Sequence, residues 1–482
     1  MKDRLTHNKE ESVMNGLDMT VMFVYFGVLV VAGIIGSLKA KSSEDFILAG
    51  RNLGMFMYLG CLSAVILGGA STIGTAQLGY EHGLSGIWFV TMIGLGIITL
   101  GTIFIKRISS LKVTTISELL GKRYNAQAQI ISAVVAAIYT LMVSVTQVIG
   151  MGTIIHALLG WNMTASMLIG GSIVLFYTIL GGMWSVTVTD IIQFVVMTVA
   201  IFGFMLPMSV SEAGGFKALA GDLPSSYFDF SSIGYGQIFQ YFLLYTLGMA
   251  VSQDIWQRVF TARTEKIARN GSIFAGVYSI AYAVAGSVIG MCAYLLLPNA
   301  ESSQSIFATL AVQILPQGLL GLVLAGVCSA LMSTASGTLL ASSTLISNDI
   351  IKKVWLKNIS EKNYLILTRV NTLIVGVLAI IFALWIQDVL VALDVAYAIL
   401  SGAIFVPFVV SLFWKDIHPK AGVSAIVVST LVVLGGLLIE GLSSTTPILY
   451  GISSSIIVMA GFAVMARNKE LSDQEPVSED VK

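Results

Sequence analysis

Residues 63–80 read SAVILGGASTIGTAQLGY, an apolar stretch that places Gly68, Gly69, Ala70 and Ser71 where the middle of a transmembrane helix would lie. Consecutive glycines weaken a helix. A helix that stops inside a bilayer leaves backbone carbonyls that are tolerated only at a protein-lined cavity. Interrupted helices of this kind form substrate and ion sites in secondary transporters. The alternative is a face of small residues that allows close helix packing.

The composition of the whole chain is that of a membrane protein. Of its 482 residues, 56% are hydrophobic and only 11% are charged, whereas an average soluble domain is about a quarter charged. Lys+Arg and Asp+Glu are equal at 26 each, so no basic excess indicates nucleic acid as a partner. The sequence contains no phosphate-binding loop and no metal-ligand spacing. We therefore predict a protein that is not an enzyme and has no cofactor.

Thirteen apolar stretches of near-bilayer length predict an all-α polytopic membrane protein with about 13 transmembrane helices. Their predicted ranges are 18–38, 53–79, 83–105, 127–157, 163–183, 188–211, 236–257, 271–297, 317–347, 364–386, 390–414, 421–440 and 445–466. An odd number of crossings puts the two termini on opposite sides of the membrane.

The basic residues predict which side is which. With the N-terminus outside, 22 of the 26 Lys and Arg residues fall in cytoplasmic segments, as the positive-inside rule requires. We expect 1–17 to be an extracytoplasmic tail, 18–466 the transmembrane domain and 467–482 an acidic cytoplasmic tail. The membrane is predicted to be an inner or plasma membrane.

A second unusual stretch, LAGVCSALMSTASGTLLASS at 324–343, carries hydroxyls at helical spacing. Ala330, Ser333, Thr334 and Gly337 follow i, i+3, i+4 and i+7 and so share one helix face. Two hydroxyls there could join freed carbonyls around a small hard cation, which prefers oxygen ligands. A row of small residues is equally typical of helix packing.

The third unusual stretch, GGMWSVTVTDIIQ at 181–193, contains Asp190 at or just inside the end of a span. Ionisable residues within membrane spans are costly and indicate function by default. The alternative is a carboxylate that interacts favourably with the N-terminal end of its own helix.

Taken together, these residues make the chain similar to the sodium/solute symporter family, which includes bacterial proline, pantothenate, sialic acid and sodium/glucose carriers. The resemblance extends over about 18–466. The matching motifs are AGRNLGMFM (49–57), the interrupted span at 63–80, GGMWSVTVTDIIQ, QDIWQRVFTA (253–262), ALMSTASGTLLASSTLISNDI (330–350) and LFWKDIHPKAG (412–422).

This resemblance implies a LeuT-like core of two inverted five-helix repeats, at about 53–211 and 236–414. The first helix of each repeat should be interrupted, and the second repeat reads LGMAVSQD at 247–254. The resemblance also implies a sodium site. Its ligands would be the carbonyls of Ala64, Leu67 and Ala330 and the hydroxyls of Ser333 and Thr334.

The resemblance assigns Asp190 to the support of that site. Some members bind a second sodium with this aspartate and hydroxyls one turn further along. Ser336 matches one of those hydroxyls, but Gly337 stands where the next would be, so we expect one sodium ion.

The solute is expected at mid-membrane, near residues that match the family by position: Ser71, Gln147, Ser252, Gln253 and Asp394. An acid at Asp394 would suit an amine-bearing solute, or the residue could be solvated at the start of its span. Asp254 precedes Arg258 by four residues, which predicts a local ion pair.

The predicted function is that of a sodium-coupled secondary active symporter, which imports a small organic solute by alternating access. The solute could be an amino acid, a carboxylate, a vitamin or an amine, and Na+ is the coupling ion. The alternatives are a proton-coupled carrier with Asp190 as the proton site, an uncoupled facilitator and, from another class, a non-transporting sensor.

Overall fold

A computed structural model describes residues 15–39, 42–108, 111, 113–356, 358–414 and 418–472, and the regular structure within these ranges is helical. The helices are α1 Gly16–Ser37, α2 Ser43–Leu48, α3 Met55–Ile66, α4 Thr75–His82, α5 Trp88–Thr99, α6 Ile105–Ile108, α7 Ile116–Arg123, α8 Ala126–Leu159, α9 Met163–Gly181, α10 Met183–Thr198, α11 Leu206–Glu212, α12 Gly215–Asp222, α13 Tyr235–Tyr241, α14 Leu247–Met249, α15 Gln253–Val259, α16 Glu265–Leu296, α17 Ile306–Ile314, α18 Leu319–Thr344, α19 Glu361–Ile386, α20 Val389–Phe413, α21 Pro419–Glu440 and α22 Pro447–Ser472.

Five π-helical segments join some of these helices end to end: Ala70–Gly74, Leu100–Phe104, Val199–Met205, Phe242–Thr246 and Leu345–Lys352. A π-helical turn adds one residue to a helical turn and often marks a functional site. Two of these segments directly adjoin the interrupted regions that were predicted from the sequence.

Every predicted span coincides with helical structure, but the count of thirteen is not confirmed. By length and composition, ten helices among the described residues can cross a membrane. The spans predicted at 53–79 and 236–257 correspond to interrupted helices, whereas α9, Met163–Gly181, runs through nearly all of the span predicted at 163–183. A prediction from the length of an apolar stretch treats an interrupted segment as one whole span, because hydropathy carries no information on where a helix ends.

The first interruption lies where the glycines predict it. The helix α3 ends at Ile66, and Leu67 leaves the helical conformation with φ −95° and ψ 51°. The chain becomes helical again by Ala70 and continues into α4. Both the interruption and the close packing of small residues are present here, so the two readings of this stretch are not exclusive.

The second interruption separates α14 from α15. The helix α14 ends at Met249, and Ser252 is extended, with φ −73° and ψ 126°, before α15 begins at Gln253. Each of the predicted repeats, 53–211 and 236–414, thus contains one interrupted helix near its start.

The helix α18 lies at the centre of the bundle. Eighty-nine per cent of its most apolar stretch is buried inside the protein, against 22% for α1 and 22% for α22. It packs against α8, α10 and α1. A helix buried this deeply has little surface left for lipid, so most hydroxyls of α18 face other protein groups.

The predicted tails lie largely outside this description. Residues 1–14 and 473–482 fall outside the described residues. The helix α22 continues to Ser472, so the stretch predicted as a tail from 467 begins as helix.

Candidate functional site

The first interruption exposes carbonyls that side chains then satisfy. A helix end leaves its last carbonyls without intrahelical partners. The Thr334 hydroxyl of α18 donates to the Val65 carbonyl at 2.9 Å, and the Ser71 hydroxyl donates to the Ile66 carbonyl at 3.1 Å. Ser71, predicted at the solute, therefore caps its own broken helix.

Two glycines allow α18 to approach this interruption. A Cβ at Gly68 would overlap the Thr334 hydroxyl, and a Cβ at Gly69 would overlap the Leu331 side chain. The Gly69 amide donates to Gln147 Oε1 of α8 at 3.1 Å. The interruption is therefore enclosed by α18 on one side and by α8 on the other.

Asp190 of α10 is the charged centre next to this interruption. Its carboxylate accepts from Ser333 Oγ at 2.5 Å, from Arg258 Nη2 at 3.1 Å and from Cys61 Sγ at 3.2 Å. The Asp190 and Arg258 side chains are 0% and 1% exposed. A charge pair buried this deeply needs additional hydrogen bonds to offset its desolvation, and these partners supply them.

Arg258 forms its ion pair with a different residue from the one that the sequence predicted. Its ion pair is with Asp190, and it reaches Asp254 only through the backbone carbonyl at 3.2 Å. The predicted ion pair between the Asp254 and Arg258 side chains is wrong, because Asp190 from a distant helix competes for the same guanidinium. Spacing along one helix cannot reveal such a competitor.

The Arg258 guanidinium packs directly against Gly337. A Cβ at Gly337 would lie 2.6 Å from both Nη atoms. Position 337 lacks the hydroxyl that some family members have, and the Arg258 guanidinium occupies the space where a side chain at this position would lie.

The residues predicted for sodium lie near one another. Ala64 and Leu67 flank the two capped carbonyls of α3. Thr334 reaches one of these carbonyls from α18, and the adjacent Ser333 hydroxyl donates to Asp190. Ala330 is buried one turn earlier on α18. The Ser336 hydroxyl, by contrast, donates to the Ser333 carbonyl at 3.0 Å, within its own helix.

The residues predicted for the solute do not form one cluster. Gln147 lies at the first interruption. Ser252 lies at the second, where its hydroxyl donates to the Met249 carbonyl at 3.2 Å. Gln253 points elsewhere: its Oε1 accepts from the Ile116 amide at 3.0 Å, which ties α15 to the start of α7.

Asp394 of α20 is not simply solvated. It is partly buried and accepts a hydrogen bond from the Tyr245 hydroxyl. Tyr245 comes from the π-helical segment before the second interruption. The carboxylate therefore joins α20 to the interrupted region of the second repeat.

A row of aromatic rings begins at Tyr245 beside this carboxylate, and the sequence analysis did not predict it. Ring centroids are 5.0 Å apart for Phe89 and Tyr245, 5.1 Å for Tyr245 and Tyr397, and 5.1 Å for Tyr139 and Tyr397. The Tyr139 hydroxyl donates to Tyr397 at 3.0 Å. The four rings come from four separate segments, so no local pattern announces them.

Chemically, the molecule offers two different environments around its interrupted helices. One collects carbonyl and hydroxyl oxygens, the ligands that a hard cation prefers. The other pairs a carboxylate with aromatic faces, which attract organic cations. Two interrupted helices that meet such environments define a secondary transporter.

The chain belongs to the sodium:solute symporter family, whose profile matches residues 46–428. It is accordingly a multi-pass membrane protein and a sodium-coupled symporter of a small solute. Two relatives illustrate the family. The high-affinity choline transporter 1 of Caenorhabditis elegans is 27% identical over 79% of this chain and 72% of its own length. The sodium/proline symporter of Staphylococcus aureus is 25% identical over 85% and 84%.

A solved structure of a Na+-coupled sialic acid symporter, in a substrate-bound outward-open state, has the same fold. Its TM-score with this chain is 0.80 at 18% sequence identity, and the match covers 94% of this chain and 98% of the other. A likeness at this identity supports the LeuT-like fold and nothing finer.

Proposed function

We propose that this symporter binds its sodium ion at the first interruption, between α3 and α18. The hydrogen bond from Thr334 to the Val65 carbonyl carries this proposal, because it brings an α18 hydroxyl to the freed carbonyls. A hydroxyl that donates its proton keeps lone pairs for a cation. The other oxygens come from Ala64, Leu67, Ala330 and Ser333.

Asp190 and Ser336 support this site without reaching the ion. Asp190 orients the Ser333 hydroxyl by accepting a hydrogen bond from it at 2.5 Å. Ser336 bonds to the Ser333 carbonyl and so stiffens the same turn of α18.

We propose a single coupling sodium. A second ion beside Asp190 would have to share that carboxylate with Arg258, which is 3.1 Å away. It would also need room near Gly337, where the guanidinium already lies. The mutual repulsion of two cations in a buried space opposes a second ion.

One sodium is sufficient for uphill transport. A charge that crosses about 100 mV gains about 2.3 kcal/mol, and a tenfold sodium gradient adds about 1.4 kcal/mol. Together these sustain a gradient of several hundredfold for a neutral solute. Sodium stabilises an outward-open form, the solute binds, and two bundles of helices rock to release both on the cytoplasmic side.

The direction of transport follows from the predicted orientation. We propose that the N-terminus lies outside and the C-terminus in the cytoplasm of an inner or plasma membrane. The asymmetry of the Lys and Arg residues supports this orientation. Import is then the direction that an inward sodium gradient drives.

For the solute we propose a small molecule with a positively charged amino group. Asp394 supplies the anion, and Tyr245 and Tyr397 supply the aromatic faces beside it. We assign contacts with the rest of the solute to Gln147 and Ser252, which lie at the two interruptions. An amino acid or an amine has this chemistry, whereas a simple carboxylate or a sugar does not.

The sodium site is tested by the unfolding temperature of the purified protein in sodium or potassium chloride at equal ionic strength. A cation that binds only the folded form raises stability, by about 2.7 kcal/mol at 100 times its Kd. We expect a sodium-specific rise that is lost in Ser333→Ala and Thr334→Ala. A single-site dependence on sodium concentration supports one ion.

The opposite outcome is equally informative. Equal stability in the two salts, at all concentrations, would contradict the sodium site and favour a proton-coupled carrier or an uncoupled facilitator. A sodium-dependent rise that persists in both variants would be consistent with sodium coupling but would show that the ion binds at another site.

The solute class is tested separately, in saturating sodium. We expect amine-bearing solutes to add a further rise in unfolding temperature, and Asp394→Asn to abolish that rise while leaving the sodium effect intact. Stabilisation by glucose or by a simple carboxylate instead would overturn the proposed class and spare the ion site.

A further inference from the structure

An apolar groove opens towards the lipid between α1, α9, α10 and α18. Its volume is about 560 Å³, and its lining includes Phe26, Gly33, Ile173, Phe176, Met332 and Ser336. Phe176 is 71% exposed at its edge. Unlike the ion and solute regions, this groove lies on the outer flank of the central helix α18.

The few polar groups in the groove are already satisfied. The Ser37 hydroxyl donates to the Ile34 carbonyl at 2.7 Å, and the Thr178 hydroxyl donates to the Val174 carbonyl at 2.8 Å. The Ser185 hydroxyl donates to the Gly33 carbonyl. A surface whose hydroxyls are internally bonded presents hydrocarbon to its occupant and selects an apolar chain.

The length of the groove matches one leaflet of a bilayer. On α1 its lining runs from Phe26 to Ser37, which is roughly 16 Å at about 1.5 Å per residue. A bilayer core is about 30 Å thick, so one leaflet contributes about 15 Å. One acyl chain therefore fits along the groove from the membrane surface to the midplane.

A lysine side chain lies at the end of the groove that is nearer to the membrane surface. Lys39 follows the end of α1, is exposed, and holds its Nζ 5.1 Å from the centre of the Trp184 ring. Trp184 directly precedes Ser185 of the lining. A lysine beside a tryptophan at a membrane interface is a typical partner for a lipid phosphate.

We propose that the groove binds a phospholipid from the leaflet on the Lys39 side, with one acyl chain along α1 and its phosphate at Lys39. This site goes beyond sodium-coupled transport and does not depend on it. Met332 and Ser336 belong to the face of α18 that turns away from Thr334, about 200° around the helix from Met332. The lipid thus contacts α18 on the side opposite Thr334.

The test uses a phosphatidylglycerol that carries a photoreactive diazirine near the middle of one acyl chain. The full-length protein is reconstituted with this lipid in nanodiscs and irradiated, and labelled peptides are mapped by mass spectrometry. We expect labels on α1, α9 and α18 at the groove. Labels spread evenly over the other lipid-facing helices would overturn the proposal.

A matched pair of variants on α1 sharpens the test. A Cβ at Gly33 would have only Thr189 Cγ2 nearby, at 3.9 Å, so Gly33→Phe can fill the groove. Gly27 has nothing within 4 Å and lies outside the lining, so Gly27→Phe is the control. We expect groove labelling to fall about tenfold in Gly33→Phe, a loss of about 1.4 kcal/mol, and to persist in Gly27→Phe.

Further variants control for misfolding and distinguish a phospholipid from other occupants of the groove. If Gly33→Phe unfolds, the smaller Gly33→Leu replaces it, and unchanged labelling in a folded Gly33 variant contradicts the site. Lys39→Gln should weaken labelling by an anionic phospholipid more than by a neutral diacylglycerol probe. Absence of labels at the groove of the unsubstituted protein, together with a mass of two copies in detergent, would make the groove a dimer contact instead and refute the proposal.

Discussion

At the first interruption, distant helices satisfy two of the freed backbone groups and Ser71 satisfies a third, whereas at the second interruption the segment satisfies itself. Thr334 and Gln147 come from α18 and α8 to cap Val65 and Gly69. At the second interruption, Trp256 Nε1 donates to the Ala250 carbonyl at 2.8 Å, from only six residues away.

Because of this difference in capping, only the first interruption is sensitive to how the helices of the bundle are arranged. Caps from other helices are made or broken when those helices move, so a ligand at the first interruption is linked to the state of the whole protein. A locally capped interruption keeps its shape when its surroundings move. The second interruption is therefore suited to moving as a unit with the rings and carboxylate beside it.

The largest effect is expected where the two regions are joined. Arg258 follows the second interruption but pairs with Asp190 beside the first. Asp190→Asn leaves a buried guanidinium without its counter-charge, which costs about 3–5 kcal/mol of stability. The unfolding temperature in detergent measures this loss.

Asp254→Asn is the matched control, because Asp254 Oδ1 is buried without a hydrogen-bond partner among the described residues. Its effect on stability should be clearly smaller. Equal losses from the two substitutions would show that the pair does not join the two regions as described.

The close approach of α18 to the first interruption is tested with Gly69→Ala. The added methyl overlaps the Leu331 side chain, and overpacking of this kind costs about 1–3 kcal/mol. Gly435→Ala, which meets nothing within 4 Å, should be neutral or slightly stabilising. A neutral Gly69→Ala in a thermal-unfolding series would refute the tight packing.

The contrast between distant and local caps is tested with one substitution at each interruption. Thr334→Val and Trp256→Phe each leave a buried carbonyl without its donor, at a cost of about 1–3 kcal/mol. We expect only Thr334→Val to abolish the sodium-dependent rise in unfolding temperature. Loss of the sodium effect in Trp256→Phe as well would erase the distinction between the two interruptions.

The smallest effect is expected from the two serine caps. Ser71→Ala and Ser252→Ala each remove one hydroxyl-to-carbonyl bond, worth about 0.5–1.5 kcal/mol. Both should lower stability slightly and to a similar degree. A large loss of solute binding in Ser71→Ala would instead return that residue to the role predicted from the sequence.

Much of the fold could be predicted from local patterns. Apolar lengths locate the helices, and Gly68 and Gly69 mark the first interruption, because helix propensity and burial are properties of short stretches. The number of crossings was less predictable. The segments at 53–79 and 236–257 stop within the membrane, and hydropathy averages over such stops.

The site was predictable only in part, for a related reason. The hydroxyls of Ser333 and Thr334 share a face by spacing alone, and the glycines predict freed carbonyls. Their meeting depends on the packing of α18 against α3, which spacing along one helix does not contain. Gln253 is an example of what sequence position does not predict. Its position matches a solute-binding residue, yet its side-chain amide oxygen accepts a hydrogen bond from the start of α7.

Composition and helical spacing predicted a polytopic helical membrane protein, one interrupted helix and a hydroxyl-bearing face, since these depend on neighbours three or four residues apart. The second interruption was predicted from the family resemblance. Only the tertiary structure decided that Arg258 pairs with Asp190, and that Tyr245 reaches Asp394. Partners separated by 68 and 149 residues meet only when whole helices pack. A buried charge then takes the counter-charge that lies nearest in space, whatever its position along the chain.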